Sequence, residues 1–514
     1  MPMLTEPDAI AMPATSRLAR TTWLVLCITV IVVGIDLPMM PKYFLVGDPL
    51  AWRMEARSIL RSGSLAVSAT FATAYGEPGQ NFVENHSNGF FYSKYGVGNS
   101  LASLPGTLIE TIKNGGVLPD EAPDDLVAWN IYNLALAVLT AWVLIAISGL
   151  YTSRSWLRGA YVIACLFGGY LWYFQRAQSA ELFQVLLFST FFYFFAIYLR
   201  RLASPSAKGT GRSTAAILSL AWFALGVLIL TRLVFAVLLL GPFLSVAMVL
   251  WRRRRTVQRG ELLRVAAMLA VPSGAILAII GLTNAIKFGS PLVSGYKAWH
   301  PEYTALTRHW PSGVAGMLFS TRWSIFRYFP LLFLAVLGWW RFARTRSAEA
   351  ILVAASFLPV IIAIGSIPAW RGEWTYGPRY MIYVLPVLAV PSILWAERLI
   401  DRLRARKPAL WIMAGLVAIS FSYSAWLNFQ VNRFDFFSMY YIVGYLKPAL
   451  KEPALHYLDT HVEGRILADL SAHKDDLDNT EWFALVKPSL TPKQMDAYKS
   501  YVHDLLLDRN LYWW

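Results

Sequence analysis

What most constrains this chain is a succession of long apolar runs between residues 22 and 427, each separated from the next by a short charged or glycine-bearing segment. A helix needs about 20 predominantly apolar residues to cross the hydrocarbon core, and in lipid its backbone groups must be satisfied within the segment itself. Runs of that kind lie near 22–40, 126–150, 159–176, 181–199, 214–230, 234–250, 265–285, 325–340, 348–369, 380–396 and 409–427. The chain therefore reads as an all-α polytopic membrane protein with about eleven transmembrane helices. Composition agrees: 56% of residues are hydrophobic and 15% charged, whereas soluble domains carry about a quarter charged residues. The first run, TWLVLCITVIVVGIDLPMM, is too long for a signal-peptide core and has no clear cleavage site, so it reads as a retained anchor. Cys27 and Cys165 both fall inside apolar runs, which argues against a disulfide framework.

The basic residues between the runs give the orientation. With the N-terminus inside, the inner loops carry Arg154 and Arg158; Arg200, Arg201, Lys208 and Arg212; Arg252 to Arg255; Arg341, Arg344 and Arg346; and Arg398, Arg402, Arg404, Arg406 and Lys407. That is the positive-inside pattern. It requires a tight hairpin at Thr231-Arg232-Leu233, because one span over 214–250 would put the Arg252 cluster outside. A formal net charge of +15 could suggest nucleic acid. The densest basic run, however, lies directly between apolar runs, and no nucleic-acid-binding signature accompanies it, so no nucleic-acid partner is expected. The layout is a cytoplasmic head (1–21), a transmembrane domain (22–427) with large outer loops at 41–125 and 286–324, and an extracytoplasmic tail or small domain (428–514).

The outer loops hold the unusual chemistry. The first opens with GDPLAWRMEARSILRSGSL, where Asp48 and Pro49 begin a short helix as acidic cap and proline. Leu50, Met54, Ile59 and Leu60 alternate there with Arg53, Glu55, Arg57 and Arg61, the pattern of a helix lying in the interface rather than crossing it. NSLASLPGTLIETI suggests a second such helix, and between the two lies FYSKYGVG, which contains Tyr92, Lys94 and Tyr95.

Lys94, Arg176, Arg232, Lys287, Arg322, Arg327, Arg371 and Arg379 all map to outer loops or outer span ends, where the positive-inside rule does not explain them. Cations beside apolar segments are costly unless paired. Individually, structural ion pairs account for them; as a group they suggest an anion site near the outer face, with a lipid phosphate as its natural ligand. Three segments fit that picture. FQRAQSAELF places Arg176 and Glu181 around a short turn, NAIKFGSPLVSGYKAWHPEY offers Tyr296, and WRGEWTYGPRYMIYVLP carries Trp374, Tyr376, Arg379 and Tyr380 just before a span. Aromatic rings beside acids and arginines suit sugars, although an aromatic belt would look the same.

An acid after the first span, an interfacial helix, YSKYGVG, a second interfacial helix and a late YGPRY together resemble the GT-C superfamily. These are polytopic glycosyltransferases that use polyprenyl-phosphate donors, among them the aminoarabinose transferases of lipid A and the protein O-mannosyltransferases. The resemblance implies a GT-C fold over most of residues 20–400. It makes Asp48 the general base, Lys94 the lysine that meets the donor phosphate, and Arg379 with Tyr380 the late motif beside the same site. It also implies an integral protein of the bacterial inner membrane, with undecaprenyl phosphate as donor lipid. Two departures stand out: many members have adjacent acids where this chain has Asp48-Pro49, and aminoarabinose transferases have an acid where this chain has Ser93. Glu55, Glu84 and Glu181 are therefore further acids able to assist.

The expected reaction is transfer of a sugar from a polyprenyl-phosphate donor to a hydroxyl of a glycan, lipid or protein acceptor, with inversion. Asp48, Glu55 and Glu181 are its candidate acids. Lys94, Arg379, Tyr380, Arg176 and Arg327 are candidate phosphate ligands, and Tyr92, Tyr95, Trp374, Tyr376 and Tyr296 candidate sugar or acceptor contacts. The scheme calls for no cofactor and no metal. On the residues alone, Asp48 could be a plain helix cap and Lys94 a snorkelling lysine. A lipid-linked oligosaccharide ligase or polymerase, or a non-enzymatic lipid or sugar transporter, are the alternative functions.

Overall fold

The structure, a computed structural model, describes residues 14–40, 48–69, 72, 81–116, 125–177, 179–204, 212–299, 310–320, 324–367, 370, 377–403, 407–433, 470, 473, 476–492, 495–496 and 499. The chain opens with α1 (Ala14–Asp36), α2 (Asp48–Ser62), strands β1 (Phe82–Asn85) and β2 (Phe90–Ser93), and α3 (Val97–Lys113). Then follow α4 (Leu126–Gly149), α5 (Ser155–Phe167), α6 (Leu171–Arg176), α7 (Ala180–Ala203), α8 (Arg212–Thr231), α9 (Leu240–Arg252) and α10 (Arg259–Phe288). The rest comprises α11 (Gly295–Trp299), α12 (Trp310–Phe319), α13 (Ile325–Tyr328), α14 (Leu331–Thr345), α15 (Ser347–Gly365), α16 (Leu385–Leu388), α17 (Pro391–Leu403), α18 (Lys407–Arg433) and α19 (Glu481–Val486).

Every apolar run forms helix, and eight of the described helices are long and apolar enough to cross a membrane. Thr231 ends one of these and Leu233 begins the next, so the turn at Arg232 is as tight as the charge pattern requires. Three runs are broken rather than continuous, the one near 380–396 parting at Ala389-Val390 between α16 and α17. α5 and α6 part at Gly168-Gly169, and α13 and α14 part at Phe329-Pro330, where proline cannot extend the preceding helix. Aromatic packing holds the centre of the bundle. Phe188, Phe191, Phe192 and Phe195 on α7 are fully buried, as is Tyr383, whose ring meets Phe188 edge-on at 5.2 Å.

The loop arginines gather at one end of the bundle. Arg154 pairs with Asp401 at 2.5 Å, Arg200 with Glu349 at 2.7 Å, and Arg253 with Glu261 at 2.8 Å. Chain direction places α2, the hairpin, α3, Arg232 and Arg379 at the other end.

At that second end α2 is shorter than a span, but its charged face is turned inward rather than left in water. Arg57 pairs with the buried Glu110 of α3 at 2.7 Å, Glu55 pairs with Lys287 of α10 at 2.7 Å, and the Arg53 guanidinium lies 5.3 Å from the Trp129 ring centroid. Buried charges are tolerated when paired. α3 lies against the C-terminal end of α8. A Cβ on Gly96 would stand 2.2 Å from the Leu230 carbonyl oxygen, and one on Gly98 would stand 2.5 Å from the Thr231 nitrogen. The Asn99 amide donates to the Thr231 carbonyl at 3.1 Å, satisfying one of the terminal acceptors that a helix leaves open. The two spaced glycines are thus a close backbone crossing.

Between α2 and α3 the chain forms the antiparallel hairpin β1–β2, pairing Phe82 with Ser93 and Asn85 with Phe90. Its loop closes on the Asn85 side chain, which accepts from the Ser87 amide at 3.0 Å, and on Gly89 at φ +70°. The Asn85 amide donates to the Ile286 carbonyl at 3.2 Å, fastening the hairpin to α10.

Candidate functional site

Lys94 leaves the hairpin directly after β2, its amide donating to the Asn81 carbonyl at 3.1 Å. Gly295 packs on its backbone: a Cβ there would fall 2.0 Å from the Lys94 carbonyl oxygen. That close approach brings α11 across the lysine. The Lys94 Nζ lies 3.3 Å from the Trp299 ring centroid, 5.3 Å from Tyr95 and 5.8 Å from Tyr296, within the range of cation–π attraction. The lysine is 7% exposed.

Asp48 stands at the first position of α2. Its Oδ1 accepts from the Tyr95 hydroxyl, and its Oδ2 faces Arg379 Nη1 at 3.5 Å. Arg379 opens a short 3-10 segment, Arg379–Val384, after Gly377 at φ +72°, a conformation glycine adopts without penalty. Its Nη2 donates to the Tyr380 hydroxyl at 3.4 Å. Arg232, at the tight turn, pairs with Glu181 Oε1 at 2.7 Å and lies 4.7 Å from the Tyr380 ring centroid. Among the described residues three cations, Lys94, Arg232 and Arg379, thus meet two carboxylates, Asp48 and Glu181. The excess of positive charge suits an anion.

Burial by itself raises the Asp48 carboxyl, but Arg379 first, then Lys94, the Tyr95 hydroxyl and Arg232 outweigh it and hold the group below its ordinary value. Burial and the neighbouring Asp48 charge push the Tyr95 phenol well above its usual range, so it donates to Asp48 as a neutral hydroxyl.

Behind this cluster lies a support. The Lys287 Nζ donates to the Tyr95 carbonyl at 2.9 Å while pairing with Glu55, whose other oxygen accepts from Ser100. The Tyr95 ring stands edge-on to Trp52 at 5.4 Å and to Tyr296 at 5.9 Å.

Of the residues singled out in the sequence, the fold brings together Asp48, Lys94, Tyr95, Tyr296, Arg379, Tyr380 and, through Arg232, Glu181. Others lie elsewhere. Glu55 is about two turns along α2 and engaged by Lys287. Arg176 donates to the Met39 carbonyl beside Asp36. Arg327 is exposed, 5.9 Å from the ring of its neighbour Tyr328. The Tyr92 hydroxyl accepts from Asn88 within the hairpin at 3.1 Å, and Glu84 is exposed on β1. Trp374 and Tyr376 lie outside the described residues, as do Arg322 and Arg371. Trp299 was not among the expected site residues. Its only signal was a place in GYKAW, four residues after the glycine that seats it.

No family model and no curated protein sequence matches the chain. Among solved structures it is similar to the archaeal oligosaccharyltransferase AglB from Archaeoglobus fulgidus in complex with an inhibitory peptide and a dolichol-phosphate, with 13% identity, a TM-score of 0.52, and coverage of 80% of this chain and 55% of that one. The apo form of the Archaeoglobus fulgidus oligosaccharyltransferase aligns with 15% identity, a TM-score of 0.51, and coverage of 81% and 55%. ArnT from Cupriavidus metallidurans bound to undecaprenyl phosphate aligns with 14% identity and a TM-score of 0.46, over 97% of this chain and 78% of that one. The chain spans about half the length of the oligosaccharyltransferases it resembles. At such identities the likeness is one of fold: the chain is predominantly helical, eight of its described helices are long and apolar enough to cross a membrane, and it shares its fold with these oligosaccharyltransferases.

Proposed function

We propose that the protein is a glycosyltransferase that moves a sugar from a polyprenyl-phosphate donor to an acceptor hydroxyl. The observation that carries this reading is the convergence of Asp48 from the first loop, Lys94 from the hairpin exit and Arg379 from the late segment at one end of the bundle. The GT-C fold supports it, and the basic opposite end supports a site on the non-cytoplasmic face of a bacterial inner membrane. Asp48 takes the proton of the acceptor hydroxyl as that oxygen attacks the anomeric carbon. The bond from that carbon to the phosphate oxygen breaks, and the electron pair leaves with the lipid phosphate, whose charge Lys94 and Arg379 stabilise. One displacement inverts the anomeric centre. The Tyr95 and Tyr296 rings flank the reacting groups, where an apolar sugar face can rest. The scheme needs no cofactor.

The oligosaccharyltransferase likeness favours a lipid-linked oligosaccharide as the second reading of the donor. Both readings are tested in proteoliposomes holding a radiolabelled polyprenyl-phosphate monosaccharide or a lipid-linked oligosaccharide, with transfer and donor translocation followed separately. Transfer that disappears in Asp48→Asn supports the scheme. Near-normal turnover in that variant, or translocation without transfer, rejects it.

A further inference from the structure

Both carboxylate oxygens of Asp48 are engaged: Oδ1 by the Tyr95 hydroxyl and Oδ2 by Arg379 at 3.5 Å. A carboxylate has about four lone-pair sites, so neither contact bars a proton by itself, but a guanidinium held against Oδ2 weakens the base and its departure strengthens it. Tyr95 is anchored on several sides. Lys287 holds its carbonyl, Trp52 and Tyr296 meet its ring edge-on, and its hydroxyl also lies 3.2 Å from Asn81 Oδ1. Arg379 meets Asp48 through one longer contact, with 18% of its side chain and 31% of that of Asp48 exposed. Its guanidinium presents a fork of N–H donors matched to phosphate oxygens. Arg379 is therefore the exchangeable partner and Tyr95 the fixed one.

We propose that Arg379 exchanges Asp48 for the phosphate of the donor, so that Asp48 sheds its cationic partner and becomes the stronger base only once the donor has bound. This rests on the donor reading above. The carboxylate that Arg379 holds in the free protein is the group that must later accept the acceptor's proton at Oδ2. The guanidinium that weakens it is the group that must later hold the leaving phosphate. The cations that depress the basicity of Asp48, Arg379 foremost and Lys94 after it, are neutralised by the same event. The order of events follows: donor first, acceptor deprotonation second.

The test is equilibrium binding of undecaprenyl monophosphate to the full chain in detergent, for wild type, Asp48→Asn, Arg379→Ala and the double variant, each checked for an unchanged unfolding transition. Asp48→Asn removes the competitor for Arg379 and should tighten binding about tenfold, the scale of one hydrogen bond to a charged group. The gain should vanish in the Arg379→Ala background. Asp48→Ala gives the same reading should the asparagine perturb the fold. Equal or weaker binding by Asp48→Asn and Asp48→Ala, with wild type binding, overturns the exchange and leaves the donor site standing. So does a gain of equal size without Arg379, because simple charge removal then explains it. If the wild type does not bind the lipid phosphate, the donor reading falls and the exchange with it.

Discussion

Gly295 and Lys94 touch through their backbones, so closely that a Cβ at 295 would stand 2.0 Å from the Lys94 carbonyl oxygen. The neighbour it would meet is backbone on both sides of the carbonyl carbon, so nothing flexible can give way. Gly295→Ala should lift α11 and draw the Trp299 and Tyr296 rings away from the lysine. Overpacking of this kind costs about 1–3 kcal/mol. The expected outcome is a loss of several-fold or more in kcat/KM for the donor, with the protein still folded. Unchanged donor kinetics would mean that the α11 crossing does not matter to Lys94.

Lys94→Ala removes a point charge held against the rings of Trp299, Tyr95 and Tyr296. If it meets the donor phosphate, kcat/KM for the donor should fall by roughly tenfold to a hundredfold, as for a lost charged hydrogen bond. Trp299→Ala should cost less, because the cation–π contact is worth about 0.5–2 kcal/mol and the charge remains. Steady-state kinetics with varied donor separates the two, and a larger loss from Trp299→Ala would reverse their roles.

The Glu55–Lys287 pair is buried on both sides, with side-chain exposures of 0% and 2%. Removing one partner leaves the other as an unpaired buried charge, at a cost of about 3–5 kcal/mol. Glu55→Leu and Lys287→Met should each lower the unfolding transition sharply, and the double variant should recover much of that loss. Thermal unfolding in detergent measures the cycle. Additive losses would show that the two charges do not depend on each other.

These residues also mark how far the sequence could be read. The spans were legible because lipid demands long apolar helix, α2 was legible from its opening Asp48-Pro49 and its spacing, and α3 from its own apolar pattern. Lys94 and Arg379 stood out as cations costly beside apolar segments, and Asp48 as the acid that opens α2 and matches the family resemblance. Partner choice was not legible. Nothing local tells Arg57 to take Glu110, or Glu55 to take Lys287, because each pair joins elements far apart in the chain. Arg176 and Arg327 carried the same signal as Arg379, a cation at an outer span end, and the fold took them elsewhere. The spacing of Gly96 and Gly98 was visible, but its cause, the carbonyls at the end of α8, was not. Asn88-Gly89 was the unread mark of the hairpin.

Tyr95→Phe deletes one hydrogen bond to Asp48 and keeps the ring that packs on Trp52 and Tyr296. The hydroxyl is one of the groups holding the Asp48 carboxyl low, so its loss should raise that value. The acidic limb of kcat/KM should shift to higher pH, while the donor KM changes little. A change confined to KM would instead make Tyr95 a substrate contact.

The pH dependence of the wild type carries the last prediction. In the free protein the Asp48 carboxyl is held below its ordinary value, with Arg379 as the leading favourable charge. A depressed carboxyl stays ionised as pH falls, so its contribution is present above the unfolded value and is lost only as pH drops through the lower, folded one. The acidic limb of kcat/KM reports the free enzyme and should therefore fall below about pH 4, the region of an unperturbed aspartate. The limb of kcat reports the donor-bound enzyme. There the phosphate has taken Arg379 and neutralised its neighbours, so the Asp48 value rises and the limb moves to higher pH. Arg379→Ala removes the leading cation from the start, so the two limbs should draw together, with that of kcat/KM moving up. Coincident limbs in the wild type would mean that Asp48 meets the same charges before and after the donor arrives.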